Sequence, residues 1–267
     1  MMLVCRDPAL TMLKSKGYNL VRLPKADLLP TQLLVRSGRA LQRLGDLSSV
    51  FVAGHQIAAP AISQDNPGPA IAGEKSADLD IGVGLNLLSG LIASLGGTTL
   101  GLSDAYSQAR SVQFEFSETR ENNTQMALLD QFLAAAHVNP FARAVSEMLE
   151  SDHVFVITST LKSNKINVKA KAADKNEIKL DVPAIQQAVG GNLKVTTTGA
   201  GTSTLIYTGA IPLVFGFQAV RLIFDEGRYR TMTLSDAGSL SLETTGLSPG
   251  TDNYVWLSEN RPISSDL

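Results

Sequence analysis

Two hydrophobic periods run along this chain, one belonging to helices and one to strands. Leu87, Leu88, Leu91, Ile92 and Leu95 recur at three- and four-residue spacing and stop at Gly96-Gly97, which predicts a helix with one buried face. Met126, Leu129, Phe132 and Leu133 form a second stripe, and Asn139-Pro140 opens a third helix with Phe141, Ala144, Val145, Met148 and Leu149 on one side. Asp181 to Val189 reads as a shorter helix ended by Gly190-Gly191, since glycine accepts the left-handed backbone at a helix C-terminus. Near the N-terminus, Asp7-Pro8 supplies a cap and a first-turn proline, and Gly17 closes that short helix.

Between these stripes apolar and polar residues alternate, as in a strand with one face on a core. Leu79, Ile81, Val83 and Leu85 alternate with Asp78, Asp80, Gly82 and Gly84; Val112, Phe114 and Phe116 alternate with Gln113, Glu115 and Ser117. The same holds for Ile166, Val168, Ala170 and Ala172 against Lys165, Asn167, Lys169 and Lys171, and for Leu193 and Val195 against Lys194 and Thr196. Val154-Phe155-Val156-Ile157 is instead continuous, which predicts a strand buried on both faces. Phe215 to Phe224 and Arg228 to Leu234 read as a hairpin around Asp225-Glu226-Gly227. Strands and helices mix without a βαβ rhythm, so the expected class is α+β, a twisted, largely antiparallel sheet with helices around it.

Alternation has two physical meanings. One is a soluble sheet with a wet face. The other is a membrane barrel, whose strands of about 9–11 residues carry one lipid face and one lumen face. The segments 77–86, 110–119, 163–172 and 192–208 extend to that length and would give two hairpins per subunit. In that reading Ile81, Val83, Phe114, Ile166 and Val168 face lipid, while Lys165, Lys169 and Lys171 face water.

Charge adds a second asymmetry. The 267 residues net only -2, with pI near 5.9, so nothing global points to nucleic acid. Before Asp46, however, eight basic residues face two acids, and after Leu234 five acids face only Arg261. A basic head suits an anionic membrane surface, and an acidic tail could screen it. The longest apolar stretch, Leu79 to Leu95, is interrupted by Asp80, Gly82, Gly84, Asn86, Ser89 and Gly90. It falls short of the roughly 20 apolar residues a helical span needs, so the expected resting state is soluble and cytoplasmic.

Candidate chemistry is sparse. His55, His137 and His153 have no partner at metal-ligand spacing, and Gly199-Ala200-Gly201 lacks the third glycine of a dinucleotide loop. No nucleophile elbow occurs. Asp78 and Asp80 share a strand face but read as a wet face first. The expectation is a protein without catalytic residues, metal or conventional cofactor. The sole cysteine, Cys5, follows Met1-Met2-Leu3-Val4. One thiol forms no internal disulfide, as expected in a reducing compartment. The run is too short for a secretory signal, and Val4 stands where a lipoprotein box needs a small residue. Cys5 is either a buried small hydrophobe or an acylation site.

From Ser235 to Asn253 the chain is polar and rich in glycine and serine, the kind of segment proteases cut. Beyond it Tyr254-Val255-Trp256-Leu257 holds the only tryptophan. This reads either as a peptide anchored on the body or as a last strand of the sheet.

Cys5-Arg6-Asp7-Pro8, Leu13-Lys14, Gly17-Tyr18-Asn19-Leu20-Val21-Arg22-Leu23-Pro24 and Ala77 to Leu85 with the Leu-rich helix after it resemble the bacterial gasdermins over essentially the whole chain. That resemblance implies a pore-forming body at 1–240 held inactive by a short autoinhibitory peptide at 241–267, the boundary lying within 235–251. It implies an activating protease, caspase-like and encoded nearby, that cuts in that window at a bond the sequence does not mark. The freed body would then form a large ring oligomer and β-barrel pore among inner-membrane lipids, killing the cell in antiphage defence. It also implies a palmitoyl group on Cys5. The membrane-inserting strands would carry Leu79, Ile81, Val83, Val112, Phe114, Phe116, Ile166, Val168, Leu193 and Val195, and the anchors would be Tyr254, Val255, Trp256 and Leu257. The alternatives are a soluble binding or scaffold protein whose strands never leave their core and, with less behind it, a lipid-processing enzyme.

Overall fold

Two long antiparallel strands, Val154–Lys171 and Thr204–Asp225, form the spine of the sheet. The computed structural model describes residues 13, 17–37, 40–54, 57–68, 79–151, 153–172, 180–190, 193–197, 203–234, 240–243 and 256–259. In chain order the elements are β1 (Asn19–Lys25), β2 (Gln32–Ser37), β3 (Ala40–Asp46), α1 (Leu47–Val50), β4 (Phe51–Ala53), β5 (Ile62–Pro67) and β6 (Leu79–Asp80). There follow α2 (Ile81–Ser94), α3 (Leu102–Ala105), β7 (Ser111–Ser117), β8 (Arg120–Thr124), α4 (Met126–Ala135), β9 (Ala136–Val138) and α5 (Arg143–Glu150). The last elements are β10 (Val154–Lys171), α6 (Val182–Val189), β11 (Lys194–Thr197), β12 (Thr204–Asp225), β13 (Arg228–Leu234), β14 (Leu240–Glu243) and β15 (Trp256–Glu259). The main path runs β15-β14-β1-β12-β10-β2-β3, and among the described residues its ladders are antiparallel except β1 with β14. The α+β expectation is met.

β10 shows how burial writes itself into sequence. In its first half Val154 and Val156 join a cluster with Leu129, Phe132 and Leu133 of α4, while Phe155 and Ile157 point the other way into a cluster with Leu34 and Phe217. Both faces are dry, so the residues are apolar without a break. In the second half only one face is covered, and Ile166, Val168 and Ala170 alternate with half-buried polar neighbours. The two stretches, read separately from sequence, are one strand. They meet at an irregularity, where Asn164 alone stands opposite Gly209–Pro212, between the pairs Ser163–Leu213 and Lys165–Thr208.

The hairpin forms where expected. Asp225 pairs with Arg228, and Glu226 and Gly227 both take positive φ, 51° and 74°, as a tight two-residue turn between right-twisted strands requires. α6 also forms as read: the Asp181 carboxylate accepts a hydrogen bond from Ala184 N–H at 3.1 Å, and Gly190 follows with φ 80°.

Two expectations are corrected. Leu79 to Leu85 is a strand only at Leu79–Asp80, and Ile81 and Val83 lie in α2. Ile81 and Leu85 satisfy the helical period as well as the strand one: with Leu88 and Ile92 they fall on one face, packed on the same core. A long leucine stripe downstream therefore draws the ambiguous residues into its helix. The helix placed at Asn139-Pro140 begins only at Arg143, because Asn139 first makes a turn, its side chain accepting from Phe141 N–H at 3.0 Å. Phe141 is 92% exposed and lies outside that helix's packing face.

Candidate functional site

The alternating segments meet in one place. Below the irregularity of β10 and β12, the strand order is β7-β10-β12-β11, with β6 on the outer side of β7. Register aligns their apolar residues in rows. Phe116, Ile166, Tyr207 and Val195 are successive cross-strand partners, and so are Phe114, Val168, Leu205 and Thr197. Val112 opposes Ala170 in the next row. Segment 192–208, expected as one strand, is instead divided between β11 and the start of β12, which pair antiparallel; antiparallel partners point to the same side, so the alternation of 110–119, 163–172 and 192–208 becomes one continuous apolar face. Val168, Leu205 and Tyr207 on it have no exposed surface.

The reverse face is polar or half-exposed. Its rows are Ser117, Lys165, Thr208 and Lys194, then Glu115, Asn167, Ile206 and Thr196. Lys165 makes an ion pair with Glu118 at the exposed end of β7.

Three helices hold the apolar face dry. Leu88, Leu91 and Ile92 of α2, Leu102 of α3 and Ile185 and Val189 of α6 share one buried cluster with Phe114, Ile166, Val168 and Leu205. Each fully buried large side chain is worth about 1.5–3 kcal/mol, so the cover is a strong one. Contact is close where α2 ends: a Cβ at Gly209 would collide with Leu95. The cover is also tied by hydrogen bonding, for Tyr106, just after α3, and Tyr207 of β12 meet hydroxyl to hydroxyl at 2.7 Å. Burial pushes both hydroxyls well above the ordinary tyrosine range, so the pair is neutral and each is the other's partner. Tyr106→Phe leaves the Tyr207 hydroxyl unmatched and should cost about 1–3 kcal/mol of unfolding free energy. Denaturant titration checks this, and the double phenylalanine variant should lose less than the two single losses combined.

The chain's N-terminal part reaches the same core. Leu13 and Tyr18 belong to the cluster under the cover. The Tyr18 hydroxyl donates to Glu121 Oε1 at 3.0 Å, and the Ser159 hydroxyl donates to the same oxygen at 2.5 Å. Burial is the main cause of the raised Tyr18 pKa.

At the other end of the chain, β14 adds to β1 in parallel, pairing Leu20 with Ser241 and Val21 with Leu242. β15 folds back on β14, with Trp256 opposite Glu243 and Leu257 opposite Leu242, and also lies beside β3. Trp256 and Leu257 are thus in an added strand of the sheet. Cys5, Tyr254, Val255 and all of the 235–251 window except Leu240–Glu243 lie outside the described residues.

Of the strand residues singled out from sequence, Val112, Phe114, Phe116, Ile166, Val168, Leu193 and Val195 come together as one buried surface. Leu79 sits at its margin in β6. Sequence reading included Leu205 and Tyr207 in segment 192–208 without singling them out, although Ser203, Leu205, Tyr207 and Gly209 carry the same period of two. It passed over Tyr106, which has no local signal, since its partner is far away in sequence. Among the described residues no cluster of three or more His, Cys, Asp or Glu could hold a metal, and no helix is long and apolar enough to cross a membrane.

Comparison with known proteins gives a consistent result. The model of the bacterial gasdermin family matches residues 21–229. A gasdermin of Lysobacter enzymogenes is 58% identical over 240 residues, 90% of this chain and 89% of that one. A gasdermin of a Desulfuromonadales bacterium is 44% identical, covering 92% of each. In fold, the chain is similar to a bacterial gasdermin from Bradyrhizobium tropiciagri, with a TM-score of 0.58 at 17% identity over 85% of this chain and 91% of that one.

Proposed function

Because this chain belongs to the bacterial gasdermin family, we propose that it is an autoinhibited pore-former switched on by removal of its C-terminal peptide. The observation that carries this reading is the single apolar face shared by four strands and kept dry by three helices. A face of that kind is stable under its cover or against lipid, and costly in water. Lifting α2, α3 and α6 would leave β7, β10, β12 and β11 amphipathic, with the apolar rows toward lipid and Lys165, Lys169, Lys171 and Lys194 toward a lumen.

Residues 77–86 would join as strand once the first turns of α2 unwind. Gly82 and Gly84 in those turns lower the cost, since glycine disfavours a helix interior by about 1 kcal/mol relative to alanine. The body, near 1–240, would then assemble as a ring and β-barrel in the inner membrane, and the resulting leak would kill the cell as a defence against phage. A protease, caspase-like and encoded nearby, would cut within 235–251. Release of dye from anionic liposomes, measured before and after a cut engineered near Gly246, tests the reading. Dye retained after complete cutting refutes it.

Cys5 would carry a palmitoyl group. Each buried CH₂ is worth about 0.8 kcal/mol, enough for one chain to strengthen a membrane contact already favoured by basic residues. Intact mass of natively expressed protein should show an added acyl chain that the Cys5→Ala variant lacks. An unmodified mass, together with a fully toxic Cys5→Ala variant, removes this part of the proposal.

A further inference from the structure

The irregularity of β10 and β12 is shared by a third strand. β8 and β7 lie end to end along β10, and the register jumps from Arg120 opposite Lys162 to Ser117 opposite Lys165. Glu118 and Thr119 therefore face Ser163 and Asn164, at the level where β12 makes its excursion over 209–212. Glu118 takes φ 53°, a left-handed conformation that a residue with a Cβ adopts only under constraint. In β10, Leu161 and Ile166 reach one core although five residues separate them, so the two-residue pleat skips a step. A bulge in one strand bends that strand. Three at one level divide the sheet into two plates, a body above the line and the covered section below it.

Side chains hold the line closed. The Ser163 hydroxyl accepts from Lys165 N–H at 2.9 Å and donates to the Ser117 carbonyl at 2.5 Å, with the Lys165 carbonyl 2.9 Å away as a second acceptor. Asn164 Nδ2 donates to the Gly209 carbonyl at 3.2 Å, and Lys165 pairs with Glu118. Ser163 is buried, whereas Glu118, Ala210, Ile211 and Pro212 are exposed. Water readily replaces the exposed ion pair but not the bonds of a buried hydroxyl. On the covered side Phe116, below the line, stacks on Phe215, above it, with centroids 3.9 Å apart and planes 2° apart. That contact is apolar and non-directional, so it tolerates sliding. We infer that the line is a hinge latched by the Ser163 hydroxyl, about which the covered section turns against the body. The inference rests on the pore-forming reading for its purpose but not for its test. The section that turns carries the apolar face, and α2 ends on the line, where Leu95 packs against Gly209. Turning there loosens the cover at its end and leaves the ladders of the body intact.

Hydrogen exchange on the full-length chain, read on peptides from the two halves of β10, tests the hinge without a membrane. Residues 165–171 should exchange faster than 154–160, since a hinge opening frees the first and spares the second. Ser163→Ala should speed exchange of 165–171 about tenfold, the effect of losing two ordinary hydrogen bonds, and Ser163→Thr should keep the parent's rate. Val156→Ala, in the core of the body, should speed 154–160 and leave 165–171 as in the parent. Where Ser163→Ala does not fold, Asn164→Ala replaces it, with a smaller rise from one lost bond. A β10 that exchanges as one unit, with Val156→Ala speeding both halves, overturns the inference, as does a folded Ser163→Ala protein with the parent's rates. Liposome leakage after a cut near Gly246 is read separately, and Ser163→Ala should leak with a shorter lag than the parent. Equal lags overturn the hinge's part in activation. Exchange that divides at the line beside a parent that never leaks keeps the hinge and discards the pore.

Discussion

A chain that stops after Leu240 kills the cells that express it, whereas the full-length protein does not: this is the largest effect expected. The stop removes all but one residue of β14 and the whole of β15. In the intact chain those strands lie along β1 and beside β3, so their loss bares the edge of β1 that β14 had paired. Exposed edges are templates for further pairing. Each tail strand has only four residues, and a contact so short is weak by itself. A tether changes that. At an effective concentration of about 1 mM, a contact with a dissociation constant of about 0.1 mM is roughly 90% closed; at about 1 μM of free peptide it is roughly 1% closed. One cut thus converts a closed state into an open one with no change in the body. Colony counts after induced expression, beside a full-length control and a form with an engineered site near Gly246, measure it. A truncated chain that folds, stays monomeric and leaves cells and liposomes intact reduces the tail to a structural hairpin.

The second large effect is expected at Val168. Its side chain is fully buried between Phe114 and Leu205 in the middle of the apolar face. Val168→Lys would put a charge on the lipid side of every subunit, at about 2–4 kcal/mol each near the bilayer midplane. Multiplied over a ring, that abolishes leakage. The same charge unpaired in the resting core is also unfavourable, so circular dichroism and thermal unfolding must accompany the assay. Val168→Thr, which keeps the shape and adds one hydroxyl, should fold and leak more slowly than the parent. Asn167→Lys is the control: one residue away, it points to the polar face and should leak nearly as the parent does. A folded, cleaved Val168→Lys protein that leaks like the parent would remove the strands from the membrane.

Much of the fold was legible because burial leaves a period in the residues it covers. Val154-Phe155-Val156-Ile157 reads as doubly buried and is, and Ile166-Asn167-Val168-Lys169 reads as singly buried and is. The caps and turns at Asp181, Gly190 and Glu226-Gly227 follow from local backbone chemistry alone. Where sequence reading failed, two periods competed or none existed. Ile81 and Leu85 fit both helix and strand, and packing with Leu88 and Ile92 decided for the helix. β8, Arg-Glu-Asn-Asn-Thr, has no apolar residue to alternate; it is a strand because β10 and β5 flank it, and Asn122 accepts from Asp65 N–H at 2.9 Å.

The candidate site divides in the same way. By themselves the residues determined which positions share a face in the segments that are strands, 110–119 and 163–172 among them, since that depends only on the two-residue pleat. They also placed a polar connection before a Trp-bearing end. Only the tertiary structure decided that β7, β10, β12 and β11 stand side by side in a register that joins their faces. It likewise decided that α2, α3 and α6 cover the joined face and that Tyr106 meets Tyr207. Each of these is a pairing between residues far apart along the chain or on different elements. Local periodicity records that a face is buried but carries no record of what buries it, because any apolar partner gains similar free energy per unit area.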